Sequence, residues 1–93
     1  MMFKRLCEPA SIGNLEIRNR MVMAPMGISL CTKEGFAAEQ IRKYFEARAK
    51  GGAGLIITGI TAIDAEYRSP GHLAICGDEF IPGLYELANA VHI

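Results

Sequence analysis

The side chains able to act as nucleophile, acid, base or metal ligand are few and scattered. Cys7, Cys31, Cys76, His72 and His92 stand far apart in a chain of 93 residues. There is no Cys-x-x-Cys pair, and the two histidines sit at no metal-ligand spacing. Isolated thiols suit a reducing cytoplasm, and all three cysteines read as small buried or half-buried apolar residues. Histidine is the side chain suited to acid–base work near neutrality. His72 has no carboxylate partner in view, however, and reads as a solvated loop residue. Tyr67 and Arg68 lie in the same loop, on a segment that could face a substrate.

Two apolar runs end within the chain, one at Pro25 and the other just before Gly59. Read from the residues alone, Pro25 ends a strand, Met26 fills a core and Gly59 makes a turn.

Composition narrows the classes. Apolar residues make up 51% of the chain, and ten basic residues balance ten acidic ones. Such a chain is not disordered, yet a fold this small has little interior in which to hide that much apolar surface. No concentrated basic surface is present, which argues against nucleic acid as a partner. Lys4 with Arg5, and Arg18 with Arg20, read as solvated edges. No apolar run approaches the roughly 20 residues of a membrane span, and Glu8, Pro9 and Asn14 interrupt the N-terminus too early for a secretory signal. The expectation is a soluble, cytoplasmic chain with no membrane partner.

The elements that must hold these residues follow from periodicity. Gly13-Asn14 between short alternating runs predicts a hairpin over residues 9–18. Residues 20–24 read as a strand covered on both faces, and residues 53–58 as a second apolar strand. Between them, Ile41, Tyr44, Phe45 and Ala49 form the apolar stripe of a helix over residues 38–50. Glu39 with Lys43, and Glu46 with Lys50, are pairs four apart in the favourable order. Gly51-Gly52 supplies the stop. Strand, helix, strand is a βαβ unit with parallel strands and a right-handed crossover.

Thr32 to Gly35 is a turn candidate within a loop. Residues 59–77 are expected to be mostly irregular, with only residues 73–76 strand-like. A second helix over residues 81–91 starts near Asp78 or Phe80, tolerates Pro82 in its first turn, and carries Ile81, Leu84, Leu87, Ala88 and Val91 as its stripe. No third strand follows. A closed parallel barrel needs eight such units and about 250 residues.

Specific blocks carry a resemblance. Phe3 to Pro9, Ile12 to Arg20, Met21-Val22-Met23-Ala24-Pro25-Met26, and Tyr44 through Lys50-Gly51-Gly52-Ala53-Gly54-Leu55-Ile56-Ile57-Thr58-Gly59 resemble the start of the old yellow enzyme family. These are FMN-dependent NAD(P)H:flavin oxidoreductases, and the likeness is greatest to the branch that includes the 2,4-dienoyl-CoA reductases.

The resemblance implies an α/β fold: the N-terminal part of a (β/α)8 TIM barrel. Residues 1–19 would form a hairpin that plugs its bottom, and residues 20–93 its first two βα units. It implies that Ala24, Pro25, Met26, Gly27, Gly59 and Ile60 face FMN at the C-terminal mouth, where barrel sites are built. A flavin is a flat apolar ring with polar edges, so close backbone approach suits it. Many relatives carry threonine or cysteine where this chain has Gly27, so a side-chain contact that would tune the flavin is missing at that position.

The implied partners are flavin and a small activated alkene, an enone or an enoyl or dienoyl thioester, with NAD(P)H as reductant. A 4Fe-4S cluster and FAD occur in full-length relatives of one branch, and no ligands for them fall in this chain. Catalytic and metal-binding residues are expected on later strands, so the segment alone is expected not to turn over. The alternative is a non-catalytic module that self-associates through open strand edges or pairs with a separate remainder of the barrel.

Overall fold

The computed structural model describes residues 3–92, so residues 1 and 2 of the expected plug and residue 93 lie outside the described residues. The chain folds as strands β1 (Ala10–Ile12), β2 (Leu15–Ile17) and β3 (Val22–Met23), helix α1 (Glu39–Lys50), strands β4 (Leu55–Ile56), β5 (Thr61–Ala62) and β6 (Leu73–Ala74), and helix α2 (Ile81–Val91).

β1 and β2 form the predicted hairpin, with Ala10 opposite Ile17 and Gly13 at φ +58° in the turn. Only Ile17 of the hairpin is buried; Ile12 and Leu15 are exposed. β3 and β4 pair in parallel, Val22 with Leu55 and Met23 with Ile56, with α1 as the crossover. The βαβ unit is therefore present as the periodicity predicted. The regular strands are shorter than predicted, and they are not covered on both faces. Met23 and Ile56 pack on the core, whereas Val22 remains 48% exposed. The reason is that both helices contribute to the one core that Met23 and Ile56 join.

α1 buries Ile41, Phe45 and Ala49, while Tyr44 sits half-buried at the border under the Arg48 guanidinium, 3.6 Å from its ring centroid. The two surface pairs form as expected, Glu39 with Lys43 at 2.9 Å and Glu46 with Lys50 at 3.5 Å. Gly51 keeps right-handed helical angles, and it is Gly52, at φ +117°, that turns the chain out.

The segment before β3 ties these pieces together. Asn19 is buried; its amide donates to the Gly52 carbonyl at 2.6 Å and its Oδ1 accepts from the Met21 N–H at 3.0 Å. Arg18 donates to the Ala49 carbonyl, and to that of Ala53 at 3.2 Å. This corrects the reading of Arg18 as a merely solvated charge. Although exposed, its guanidinium gives the Ala49 carbonyl a second donor besides the Gly52 N–H and places a positive charge at the negative dipole end of α1.

Residues 59–77 are more ordered than predicted. β5 and β6 pair in parallel, Thr61 with Leu73 and Ala62 with Ala74. A single turn of 3-10 helix (Ala65–Tyr67) stands between them, started by the Asp64 carboxylate accepting from the Glu66 N–H at 3.0 Å. The predicted turn at Thr32 also forms. Gly35 at φ +100° approaches Ala74 so closely that a Cβ would lie 2.8 Å from the Ala74 Cβ, and the Ala74 N–H donates to the Gly35 carbonyl at 3.1 Å.

A 3-10 turn (Asp78–Phe80) leads into α2. Phe80, 3% exposed, takes the inward place beside Phe36, with ring centroids 4.7 Å apart. Ile81, expected on the buried stripe, is therefore turned outward and is 57% exposed. Leu87 is buried, with Leu84, Ala88 and Val91 half-buried around it. The main core joins Ala37, Ile41, Phe45, Leu73 and Leu87. Gly83 lets α2 sit against α1's approach: a Cβ there would lie 2.6 Å from the Ala37 carbonyl oxygen. Arg42 and Glu86 then bridge the helices at 2.9 Å. Among the described residues no helix is long and apolar enough to cross a membrane.

Candidate functional site

Parallel pairing brings the C-terminal ends of β3 and β4 to the same edge of the molecule, so the residues that follow each strand become neighbours. Ala24, Pro25, Met26 and Gly27 leave β3 as an exposed segment. Gly59 and Ile60 leave β4 just beyond it. The Ile57 N–H donates to the Met23 carbonyl at 3.1 Å, which extends the ladder past the last paired residues.

Contact between the two segments depends on glycine. A Cβ placed on Gly59 would overlap the Met26 carbonyl oxygen and lie 2.8 Å from the Met26 carbonyl carbon and 3.2 Å from the Gly27 Cα. Only a residue without a side chain permits this approach. The Ile60 side chain reaches back over Gly27, its Cδ1 standing 3.5 Å from where a Gly27 Cβ would be. Met26, Gly27, Gly59 and Ile60 thus meet in one patch, with Ala24 and Pro25 leading into it along the chain.

The patch is apolar and carries no charge. Met26 is 55% exposed and Ile60 62%. Exposed apolar side chains beside tightly apposed backbone fit one face of a flat heteroaromatic ring better than a charged ligand. Among the described residues no three His, Cys, Asp or Glu side chains come together to hold a metal ion.

One residue at this edge was missed. His72, expected to be solvated, is half-buried, and its ring packs beside Gly27, with Nε2 3.4 Å from a Cβ placed there. Its Nδ1 is buried without a hydrogen-bond partner. No sequence signal links His72 to Gly27; the contact exists because the loop after β3 lies on the loop before β6, with the Cys31 N–H donating to the Gly71 carbonyl at 2.9 Å. Tyr67 and Arg68 are exposed.

The cysteines divide. Cys31 and Cys76 are half-buried as expected, and burial pushes the Cys31 thiol up to about 11. Cys7 is exposed, contrary to expectation, because it lies in the turn before the hairpin, where Phe3 and Leu6 are exposed as well.

Comparison with known proteins gives these features a context. A model described as the NADH:flavin oxidoreductase / NADH oxidase family matches residues 5–93. The chain is 43% identical over 86 residues to a metal reductase of Desulforamulus reducens, covering 92% of this chain and 13% of that protein. It is 44% identical over 63 residues to a cinnamate reductase of Clostridium sporogenes, covering 67% of this chain and 10% of that protein. The structure of the old yellow enzyme from Trypanosoma cruzi superposes with a TM-score of 0.85 at 32% identity, over 99% of this chain and 25% of that one. The chain thus spans about a quarter or less of the proteins it matches, and its fold is the opening part of an old yellow enzyme TIM barrel.

Proposed function

The chain belongs to the NADH:flavin oxidoreductase / NADH oxidase family, and we propose on that premise that its strand ends form one wall of an FMN site in an ene-reductase. In this reading Ala24, Pro25, Met26, Gly27, Gly59 and Ile60 lie against the flavin ring. The observation that carries it is the approach of Gly59 to the Met26 backbone, which joins two segments distant in sequence into one open apolar shelf at the C-terminal end of parallel strands.

FMN, when bound, would supply hydride received from NAD(P)H to an activated carbon–carbon double bond. The chain's own contribution is to bind and orient. The shelf excludes water from one ring face, and the Asn19 and Arg18 contacts hold β3 against the end of α1 so that the shelf keeps its shape. The substrate class is an enone or an enoyl or dienoyl thioester, as in the 2,4-dienoyl-CoA reductase branch. The relative named for cinnamate, itself a conjugated alkene, supports the alkene part of this reading. The proposed location is the cytoplasm, where isolated thiols persist.

The test is a graft. Residues 1–93 replace the matching segment of the Trypanosoma cruzi old yellow enzyme, and the purified product is assayed for bound FMN and for NADPH-dependent reduction of 2-cyclohexenone. Flavin retention and turnover are expected. A folded graft that leaves FMN in solution overturns the reading.

A second reading has its own observation. Phe45, Ile56, Leu84, Leu87 and Val91 line an open cleft between β4 and α2, and Ile57, Ile63 and Ile75 are exposed. A chain with such surfaces is suited to self-association or to pairing with a separate remainder of the barrel. A clean, folded monomer in light scattering of the chain argues against self-association.

A further inference from the structure

We infer that His72 is a further cofactor-contacting residue, whose Nε2–H donates to an acceptor atom on the edge of the flavin ring at the Gly27 end of the shelf. The inference rests on the flavin reading above and adds to it a polar contact that none of the six shelf side chains can make.

Position comes first. The His72 ring edge and the Ile60 side chain both stand against Gly27, 3.4 and 3.5 Å from a Cβ placed on it. Even an alanine Cβ at position 27 would meet the imidazole only at van der Waals distance, and glycine leaves the ring edge open. The backbone that carries the ring is also held in place. The His72 N–H donates to the Ser69 carbonyl at 3.2 Å, Gly71 turns the chain at φ +85°, and the next residue, Leu73, is 3% exposed within β6. The loop carrying Gly27 is pinned to the same place by the bond from Cys31 to Gly71.

The proton's position follows from burial. Nδ1 is buried with no partner. A buried N–H with no acceptor is rarer and costlier than an unused lone pair, so in the neutral ring the proton belongs on Nε2. That nitrogen is the one beside Gly27. The result is a single oriented donor on an otherwise apolar shelf. Such a donor suits a flat ring whose edge carries carbonyl oxygens and bare ring nitrogens.

The experiment uses the full 93-residue chain and riboflavin, which has the flavin ring without the phosphate. Backbone and imidazole NMR signals are followed through a titration. Riboflavin is expected to shift the amides of Met26, Gly27, Gly59 and Ile60 together with the His72 imidazole. His72→Gln, which keeps a donor at similar reach, should hold affinity within about twofold. His72→Leu should weaken it by roughly three- to tenfold, the worth of one neutral hydrogen bond. His72→Met, also without a donor, guards against a folding failure of the leucine variant. If the shelf amides shift but the donor-free variants bind as tightly as the parent, the inference on His72 is overturned and the flavin reading stands. If no shelf amide shifts, the inference on His72 is overturned, while the flavin reading is decided by the graft.

Discussion

Gly59 lies so close to Met26 that any side chain at position 59 would overlap the Met26 carbonyl oxygen. The obstacle is backbone, which cannot swing aside as a flexible side chain does. Gly59→Ala should therefore destabilise the chain by about 1–3 kcal/mol, the usual cost of overpacking a fixed site. Gly27→Ala, whose Cβ meets only side-chain atoms at 3.4 Å or more, should change stability by no more than about 0.5 kcal/mol. Thermal unfolding of the two variants side by side checks the contrast.

Asn19 is the buried polar residue at the head of β3, donating to Gly52 and accepting from Met21. Asn19→Ala removes both bonds and leaves a backbone donor and a carbonyl short of partners. A loss of about 2–3 kcal/mol is expected, measured as a lower urea midpoint with an unchanged slope.

The thiols should separate by reactivity. Cys7 is exposed, whereas burial raises Cys31 from 9.0 to about 11. Iodoacetamide at mildly alkaline pH should label Cys7 first, with Cys31 protected until the pH passes its raised value, as followed by peptide mass spectrometry. The linked effect on stability has a definite sign. The unfolded thiol ionises first as pH rises, so the contribution from keeping Cys31 neutral is fully present below about 9 and is lost between 9 and 11.

Arg42 and Glu86 form the ion pair across the two helices, with side chains 31% and 65% exposed. A pair this open to water should couple by no more than about 1 kcal/mol in a double-mutant cycle, and the coupling should shrink in high salt. A much larger value would mean that the pair sets the helix crossing. The packing of Gly83 on Ala37 points instead to a crossing set by close backbone contact.

The βαβ unit was legible because α1 repeats its apolar residues at helical spacing and stops at Gly51-Gly52, so the flanking runs could only be parallel strands. The meeting of residues 24–27 with Gly59 and Ile60 follows from that topology. Other features depend on contacts between distant segments. β5 and β6 have only two paired residues each, too few to show a period. The surroundings of His72 are made by the loop that follows β3. Ile81 matched the helical stripe, but the turn at Asp78–Phe80 handed the interior place to Phe80. Arg18 looked like surface charge, since nothing in sequence marks the carbonyls it serves.

The clasp that Arg18 and Asn19 make on the end of α1 also bears on the order in which the chain assembles. Its bonds join residues 31 to 35 apart in sequence, and the carbonyls that accept them are fixed in space only after the last turn of α1 has formed. Closing so long a loop carries an entropic cost that local helix formation does not. The clasp should therefore fasten after the rate-limiting barrier. Asn19→Ala should speed unfolding by nearly its whole effect on stability and leave the refolding rate almost unchanged in stopped-flow measurements. The latch thus governs how long the folded segment persists rather than how quickly it is reached.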